Sequence, residues 1–505
     1  MSTNVQSIDA RSGVRRAVAQ NSTAEEIAEI CIAASAASAR LAAADRAERS
    51  AMLRAMADRL ETDREDIISA ADRETALGVS RLNGELTRTT FQLRLFADVL
   101  EEGSYLEATI DTAEATAMGP RPDLRRMLVP LGAVAVFGSS NFPLAFSVPG
   151  GDTASALAAG NAVVLKVHSS HPETSQLCAK ALRQGALDSG FPADVVGLVF
   201  GRDATRHLVT DPRIKAVGFT GSLTGGQAIL EYIDEREDPI PFYGELSSLN
   251  PFIVTEAAAR SRASEIGRGL AESMTMGGGQ FCTKPGLAFV PLGPGGDALM
   301  QALRLAVAST PSFTLLNERI TRDYEAGVQA LKTGGIASLV GEGPDSPGGA
   351  VPAMVFEVGT DAVPDIAQEC FGPVTIVVRY NSIDDLERVL QSLTGSLTAS
   401  IHHADGEDAS VLRLIEAVRE GVGRLVFNSY PTGVAVSWAQ THGGPWPSTN
   451  TLHTSVGATS IRRFLRPMTW QSAADVFLPA ELRDAYTNIP RRINGQLLSL
   501  EQARI

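Results

Sequence analysis

Gly132-Ala133-Val134-Ala135-Val136-Phe137, followed by Gly138-Ser139-Ser140-Asn141-Phe142-Pro143, is the stretch that decides the fold. A short, fully apolar run closed by a polar turn predicts a strand buried on both faces, because a strand with one wet face would alternate. Downstream, Ala162 to Lys166, Val195 to Phe200 and Ile214 to Phe219 repeat the pattern, with helical spacing between them at 151–159, 172–184 and 204–210. Strands alternating with helices predict a parallel sheet covered by helices on both faces. In such sheets ligands sit beyond the carboxyl ends of the strands. Binding residues are therefore sought at Asn141, at Lys166-Val167-His168-Ser169 and at Gly218-Phe219-Thr220-Gly221-Ser222. The last turn opens a helix predicted from Thr224 to Ile233, whose free N–H groups can hold a phosphate oxygen. No GxGxxG occurs in the chain, so the usual dinucleotide fingerprint is missing.

Upstream, Ala24 to about Leu100 has Ala, Leu, Arg and Glu at helical spacing and predicts several amphipathic helices, the first capped near Ser22-Thr23 with Glu25 and Glu26 in its first turn. Residues 1 to about 20 are polar and are expected to be poorly ordered. Downstream, Phe252-Ile253-Val254, Leu287 to Val290, and strands near Ala337, Ala353, Val374 and Leu397 make a second α/β pattern, with a loop expected over Gly341 to Gly349. At 505 residues and 44% apolar, the chain is expected to fold as two or three domains. A net charge of −14 argues against nucleic acid as a partner, since its binders neutralise phosphates with clustered Lys and Arg. Cys31, Cys178, Cys282 and Cys370 form no CxxC pair, so neither a disulfide framework nor a zinc site is expected and the compartment is read as reducing. The start lacks a signal-like run and the most apolar region, Met127 to Gly150, is broken by prolines; a cytoplasmic protein that binds no membrane is expected.

The chemistry concentrates at Met276-Gly277-Gly278-Gly279-Gln280-Phe281-Cys282. Three glycines after a helical segment let the backbone present a thiol at a cleft, and a thiolate attacks carbonyl carbon well, so Cys282 reads as a nucleophile. An isolated cysteine would more often be inert packing. Glu245 lies in a predicted loop directly before the Phe252 strand, where a lone acid is more commonly solvated or caps a helix. The adjacent His402-His403 pair would diverge in a strand, so no metal site is expected. His442, in a glycine-rich turn, reads as lining the substrate entrance, and Phe142, Phe281 and Trp438 as possible walls of a tunnel.

With Cys282, Glu245 and Asn141 in place, the chain resembles the aldehyde dehydrogenase superfamily. The resemblance rests on Phe219-Thr220-Gly221-Ser222, Glu245-Leu246 with Asn250-Pro251, Gly279 to Cys282, and Glu369-Cys370-Phe371-Gly372-Pro373, in the order that family uses. Asn141-Phe142-Pro143, Lys166 to Pro172, Phe427 to Pro431 and His442 to Pro445 are most similar to bacterial 2,5-dioxopentanoate (α-ketoglutarate semialdehyde) dehydrogenases and NADP-dependent fatty aldehyde dehydrogenases. The resemblance implies an α/β fold with a Rossmann-type cofactor domain (1–104 and 126–246), an α/β catalytic domain (247–469), and an oligomerisation arm (105–125 and 470–505). It implies oxidation of an aldehyde to an acid through a thiohemiacetal and thioester on Cys282. Asn141 and the Cys282 N–H would hold the oxyanion, and Glu245 would activate water as a general base, its pKa raised towards neutrality by an apolar cleft. Lys166, His168, Ser169, Arg202, Gly218, Gly221, Ser222, Glu369 and Phe371 would bind the cofactor. Ser169 stands where NAD-preferring relatives carry Glu, so NADP is expected over NAD, with His168 and Arg202 near its 2′-phosphate. A homodimer or homotetramer is the expected assembly. Two other classes stay open at this point: a cofactor-independent cysteine hydrolase or acyltransferase pairing Cys282 with His442, and a catalytically silent scaffold on the same fold.

Overall fold

The computed structural model describes residues 4–345 and 349–499. At the centre of its first sheet lies Val134–Phe137, buried along its whole length. It pairs in parallel with Val163–Lys166 on one side and Ala216–Thr220 on the other; Val196–Val199 and Phe242–Glu245 form the edges. Both faces are covered, which is why these strands read as unbroken apolar runs. The central strand is flanked by the second and fourth of the five in chain order. Its connections therefore leave in opposite directions and open a crevice between its end and that of Ala216–Thr220, the switch point where such sheets bind ligands.

Four helices precede this sheet: Ala24–Ala43, Arg46–Thr62, Arg64–Thr75 and Val79–Glu102. Thr23 caps the first in a reciprocal box with Glu26, satisfying N–H groups that the helix leaves free. The fourth matters for function, because its Arg81, Glu85 and Arg88 recur on one face directed at the turn after the central strand. The expectation of disorder near the N-terminus fails over the described residues. Asn4–Ile8 pairs antiparallel with Arg15–Gln20, and Ser7 and Arg16 both reach Glu173 on the Pro172–Asp188 helix. Polarity misled here because the hairpin is held by ion pairs and main-chain bonds rather than by an apolar face. Residues 1–3 lie outside the described residues.

The second sheet has seven strands in the order Ser338–Glu342, Met354–Gly359, Val374–Tyr380, Leu287–Pro291, Phe252–Val254, Ala399–His402 and Leu425–Phe427, parallel except for the first pair. The loop expected over Gly341 to Gly349 starts later than anticipated, since the edge strand runs to Glu342; residues 346–348 lie outside the described residues. A third sheet joins distant parts of the chain: Leu124–Pro130 lies between Leu465–Gln471 and Thr109–Asp111, and Arg491–Ile493 and Gln496–Leu498 follow. The arm expected from 105–125 and 470–505 overlaps this sheet, whose strands extend inward to Pro130 and Leu465; residues 500–505 lie outside the described residues.

Candidate active site

The Glu256–Thr275 helix delivers Cys282 through a tight turn in which Gly277, Gly278 and Gly279 all have positive φ (59°, 68° and 68°). A Cβ on Gly279 would stand 2.1 Å from the Gly372 carbonyl oxygen, so glycine is what lets this turn close on the Gly372-Pro373 segment. Asn250 fixes the other side of the cysteine. Its Nδ2 donates to the carbonyls of Cys282 (2.7 Å) and Lys284 (2.9 Å). Lys284, buried, donates to the carbonyls of Cys370 (2.8 Å), Gly372 (3.1 Å) and Val374 (2.7 Å). The nucleophile loop and the Glu369–Pro373 segment are thereby one braced unit. Asn250 entered the sequence reading only through the Asn250-Pro251 motif and Lys284 not at all, so neither bracing role was anticipated.

Glu245 is the last residue of the Phe242–Glu245 strand rather than a loop acid, and it is buried. Its Oε1 accepts from His442 Nε2 at 2.9 Å and its Oε2 from Ser455 Oγ at 2.7 Å. The same His442 nitrogen stands 3.5 Å from Cys282 Sγ. The expectation of a raised Glu245 pKa is overturned. Burial pushes it up, but His442 and the donors around it outweigh that and hold the carboxyl down at about 2. Because Glu245 is ionised, the hydrogen in its bond to His442 belongs to the imidazole, which fixes Nε2–H as donor. Cys282 moves the other way: burial first, then the Glu245 charge, push its thiol up, so the resting residue is a thiol beside an ionised carboxylate.

His442 reaches this position because the chain returns from the second sheet to the first. Asn450 accepts from Gly244 N (2.9 Å) and donates to the Phe242 carbonyl (2.8 Å), while the His442 N–H bonds Thr454 Oγ1 (2.8 Å). His442 was expected to line the entrance and, in the hydrolase alternative, to pair with Cys282; nothing in its spacing from Glu245 betrays the contact between those two.

Asn141 lies in the turn at the switch point, buried, with Nδ2 donating to the Gln280 carbonyl at 2.8 Å. This leaves its second amide hydrogen for a ligand. The turn is held from below. Arg81 donates to the Asn141 carbonyl at 2.6 Å, and Glu85 Oε1 accepts from Leu144 N and Ala145 N at 2.8 and 2.9 Å. Phe142 and Phe281 meet edge-to-face at 5.1 Å. Trp438, a suggested wall residue, is 46% exposed.

From Cys282, Glu245 and Asn141 a groove of about 570 Å³ runs out to Lys166, Arg202 and Arg319. Lys166, His168, Arg202, Gly221, Ser222, Glu369 and Phe371 all line it, as expected of cofactor residues. Ser222 caps the Leu223–Asp234 helix by accepting from Gly225 N at 3.2 Å, so the helix start faces the groove. Burial raises the Glu369 carboxyl to about 6 against the pull of Lys284. Three expectations need correction. Gly218 does not line the groove; it packs on Asp152, whose Oδ2 a Cβ there would meet at 2.7 Å. Ser169 is exposed and outside it. His168 lines it but not as a cation: burial, then His171 and Lys166, press its pKa well down, and its Nδ1 accepts from Ser170 N at 3.1 Å. Arg319, on the Glu318–Thr333 helix, is the cation that sequence reading missed, because it comes from the second α/β unit. Its length, its helix start and its cationic end in an acidic chain fit the groove to a phosphorylated dinucleotide.

A reactive thiol and a carboxylate at the end of such a groove, on two α/β sheets, define an oxidoreductase acting on aldehydes. The chain belongs to the aldehyde dehydrogenase family, whose model matches residues 2–469; its members oxidise aldehydes to acids with NAD(P). It is 42% identical to alpha-ketoglutaric semialdehyde dehydrogenase 2 of Azospirillum brasilense over 464 residues, covering 89% of this chain and 87% of that protein. It is 41% identical to alpha-ketoglutaric semialdehyde dehydrogenase of Acinetobacter baylyi, covering 85% and 83%. Aldehyde dehydrogenase 21 of Physcomitrella patens, solved with the reaction product succinate, has the same fold, with a TM-score of 0.79 at 21% identity over 93% of this chain and 94% of that one.

Proposed function

We propose that the protein oxidises 2,5-dioxopentanoate (α-ketoglutaric semialdehyde) to 2-oxoglutarate, with NADP preferred over NAD. The observation that carries the substrate is 42% identity, over most of both chains, to a protein named for that aldehyde. Glu245 takes the Cys282 proton, and the sulfur adds to the aldehyde carbon. The resulting oxyanion is held by the Asn141 amide and the Cys282 N–H, in a site that excludes water. A nicotinamide held in the groove beside Glu369 and Phe371 would supply the two-electron acceptor for the hydride this carbon loses. Cys282 then carries a thioester; once Glu245 has passed the first proton to solvent it takes one from the water that adds to the thioester carbon, and the C–S bond breaks to release the acid and the Cys282 thiolate. Lys166, Arg202 and Arg319 support NADP, together with the lack of an acid at Ser169. Purified protein should reduce NADP with 2,5-dioxopentanoate at a higher kcat/KM than with hexanal or benzaldehyde; no reduction with any of them sinks the reading.

The contacts of His442 with both Cys282 and Glu245 favour a second activity, cofactor-independent cleavage of activated esters through an acyl-cysteine. p-Nitrophenyl acetate hydrolysis without NADP, absent in Cys282→Ala, tests it.

A further inference from the structure

Two half-buried arginines converge on one loop at the catalytic end, and the chemistry at Cys282 uses neither. Arg88, on the Val79–Glu102 helix, donates from Nη1 to the Val434 carbonyl. Arg424, ahead of the Leu425–Phe427 strand, donates to the carbonyls of Gly433 (3.0 Å) and Pro431 (2.6 Å). Among the described residues neither lies within ion-pair distance of a carboxylate, although the chain carries a net charge of −14. Most of their guanidinium N–H groups therefore have no protein acceptor. Arg88 lies over the Phe146 ring (5.6 Å to its centroid), and that ring is 6.2 Å from the ring of His442. One aromatic ring thus separates Arg88 from the imidazole that touches the sulfur. Burial works against the charge of both guanidiniums, and the Cys282 sulfur is among the charges that offset this at each.

Half-buried cations that form no ion pair, Arg88 having Glu85 only as a nearby charge out of bonding reach, lose hydration that the folded chain does not fully return. An anion delivered by the substrate would return it. We propose that Arg88 and Arg424 form a carboxylate-binding subsite at the 431–434 loop, so that the enzyme selects aldehydes carrying an anionic group a few carbons from the carbonyl. Paired N–H donors on a carboxylate are strong and directional, and a neutral aldehyde of equal length has nothing to offer them. Arg81 is the weaker candidate, since it is committed to the Asn141 carbonyl and held between Phe142 and Phe281.

This assignment rests on the reading of 2,5-dioxopentanoate as substrate, and the test separates the two. kcat/KM is measured for 2,5-dioxopentanoate, succinic semialdehyde and pentanal in the full chain and in Arg88→Met, Arg424→Met and the corresponding lysine variants. In each methionine variant the acid-to-neutral ratio should fall about 10- to 100-fold, through KM, with lysine restoring part of it. A variant that only loosens the loop lowers all three substrates alike and leaves the ratio unmoved, which overturns the subsite while the substrate reading stands. A parent enzyme with no preference for the acids over pentanal overturns both.

Discussion

Substituting phenylalanine for His442 removes two contacts at once, the donor to Glu245 at 2.9 Å and the neighbour of Cys282 Sγ at 3.5 Å, while keeping a ring of similar bulk. Glu245 falls from its ordinary 4.5 to about 2 in the folded protein, a difference worth on the order of 3 kcal/mol in favour of the carboxylate. The sign follows from that direction. The stabilisation is fully present above pH 4.5 and is lost as pH falls through about 2. Without His442, among the described residues only the Ser455 hydroxyl and the Cys282 thiol remain as side-chain donors to Glu245, and burial then dominates and drives the carboxyl above 4.5. The base would lose its charge within the working range. kcat should fall at the acid end of the assayed range, by about tenfold for each pH unit below the raised pKa, as the acid limb moves up by about 2 pH units or more into that range. The assay is NADPH absorbance from about pH 5 to 9, with a stopped-flow trace. A burst of one NADPH per site followed by slow turnover places the loss at thioester hydrolysis. An unmoved acid limb, with kcat within about threefold of the parent, would refute the role given to His442.

Three further outcomes are expected. Asn141→Ala should raise the barrier by about 3 kcal/mol, read as a kcat loss of roughly 100-fold with little change in KM for NADP; an equal rise in both would assign the residue to folding instead. Ser169→Glu, although exposed and beside the groove rather than in it, should shift the NADP-to-NAD ratio of kcat/KM towards NAD, whereas Arg202→Ala should raise KM for NADP more than for NAD. Val476 and Phe477 are 72% and 75% exposed beside the third sheet, so Phe477→Asp should reduce the assembly size seen by light scattering if this surface joins subunits.

The first sheet was legible because its strands are buried on both faces and so carry no alternation to confuse with a helix. Cys282 was legible because three glycines in a row need a backbone reason, and the closeness of Gly279 to Gly372 is that reason. Glu245 was found by its motif, but its ionisation state was read with the wrong sign. A pKa depends on neighbours in space, and the decisive one lies 197 residues later. His168 failed likewise: its basicity is lost to burial against His171, which a strand-end position does not reveal. Gly218 sits inside a binding motif yet serves the packing of Asp152, and motif membership alone does not separate those uses. Arg319 comes from a helix of the second α/β unit, and no local pattern marks a helix residue as lining a groove.

The acid and the imidazole that keeps it charged stand 197 residues apart, joined where the Asn450 region folds back onto the Phe242–Glu245 strand. A hybrid spliced anywhere between those two positions takes one from each parent. Its activity then hangs on whether two ancestries agree at a single hydrogen bond, so inherited compatibility, more than the quality of either half, governs which recombinants survive.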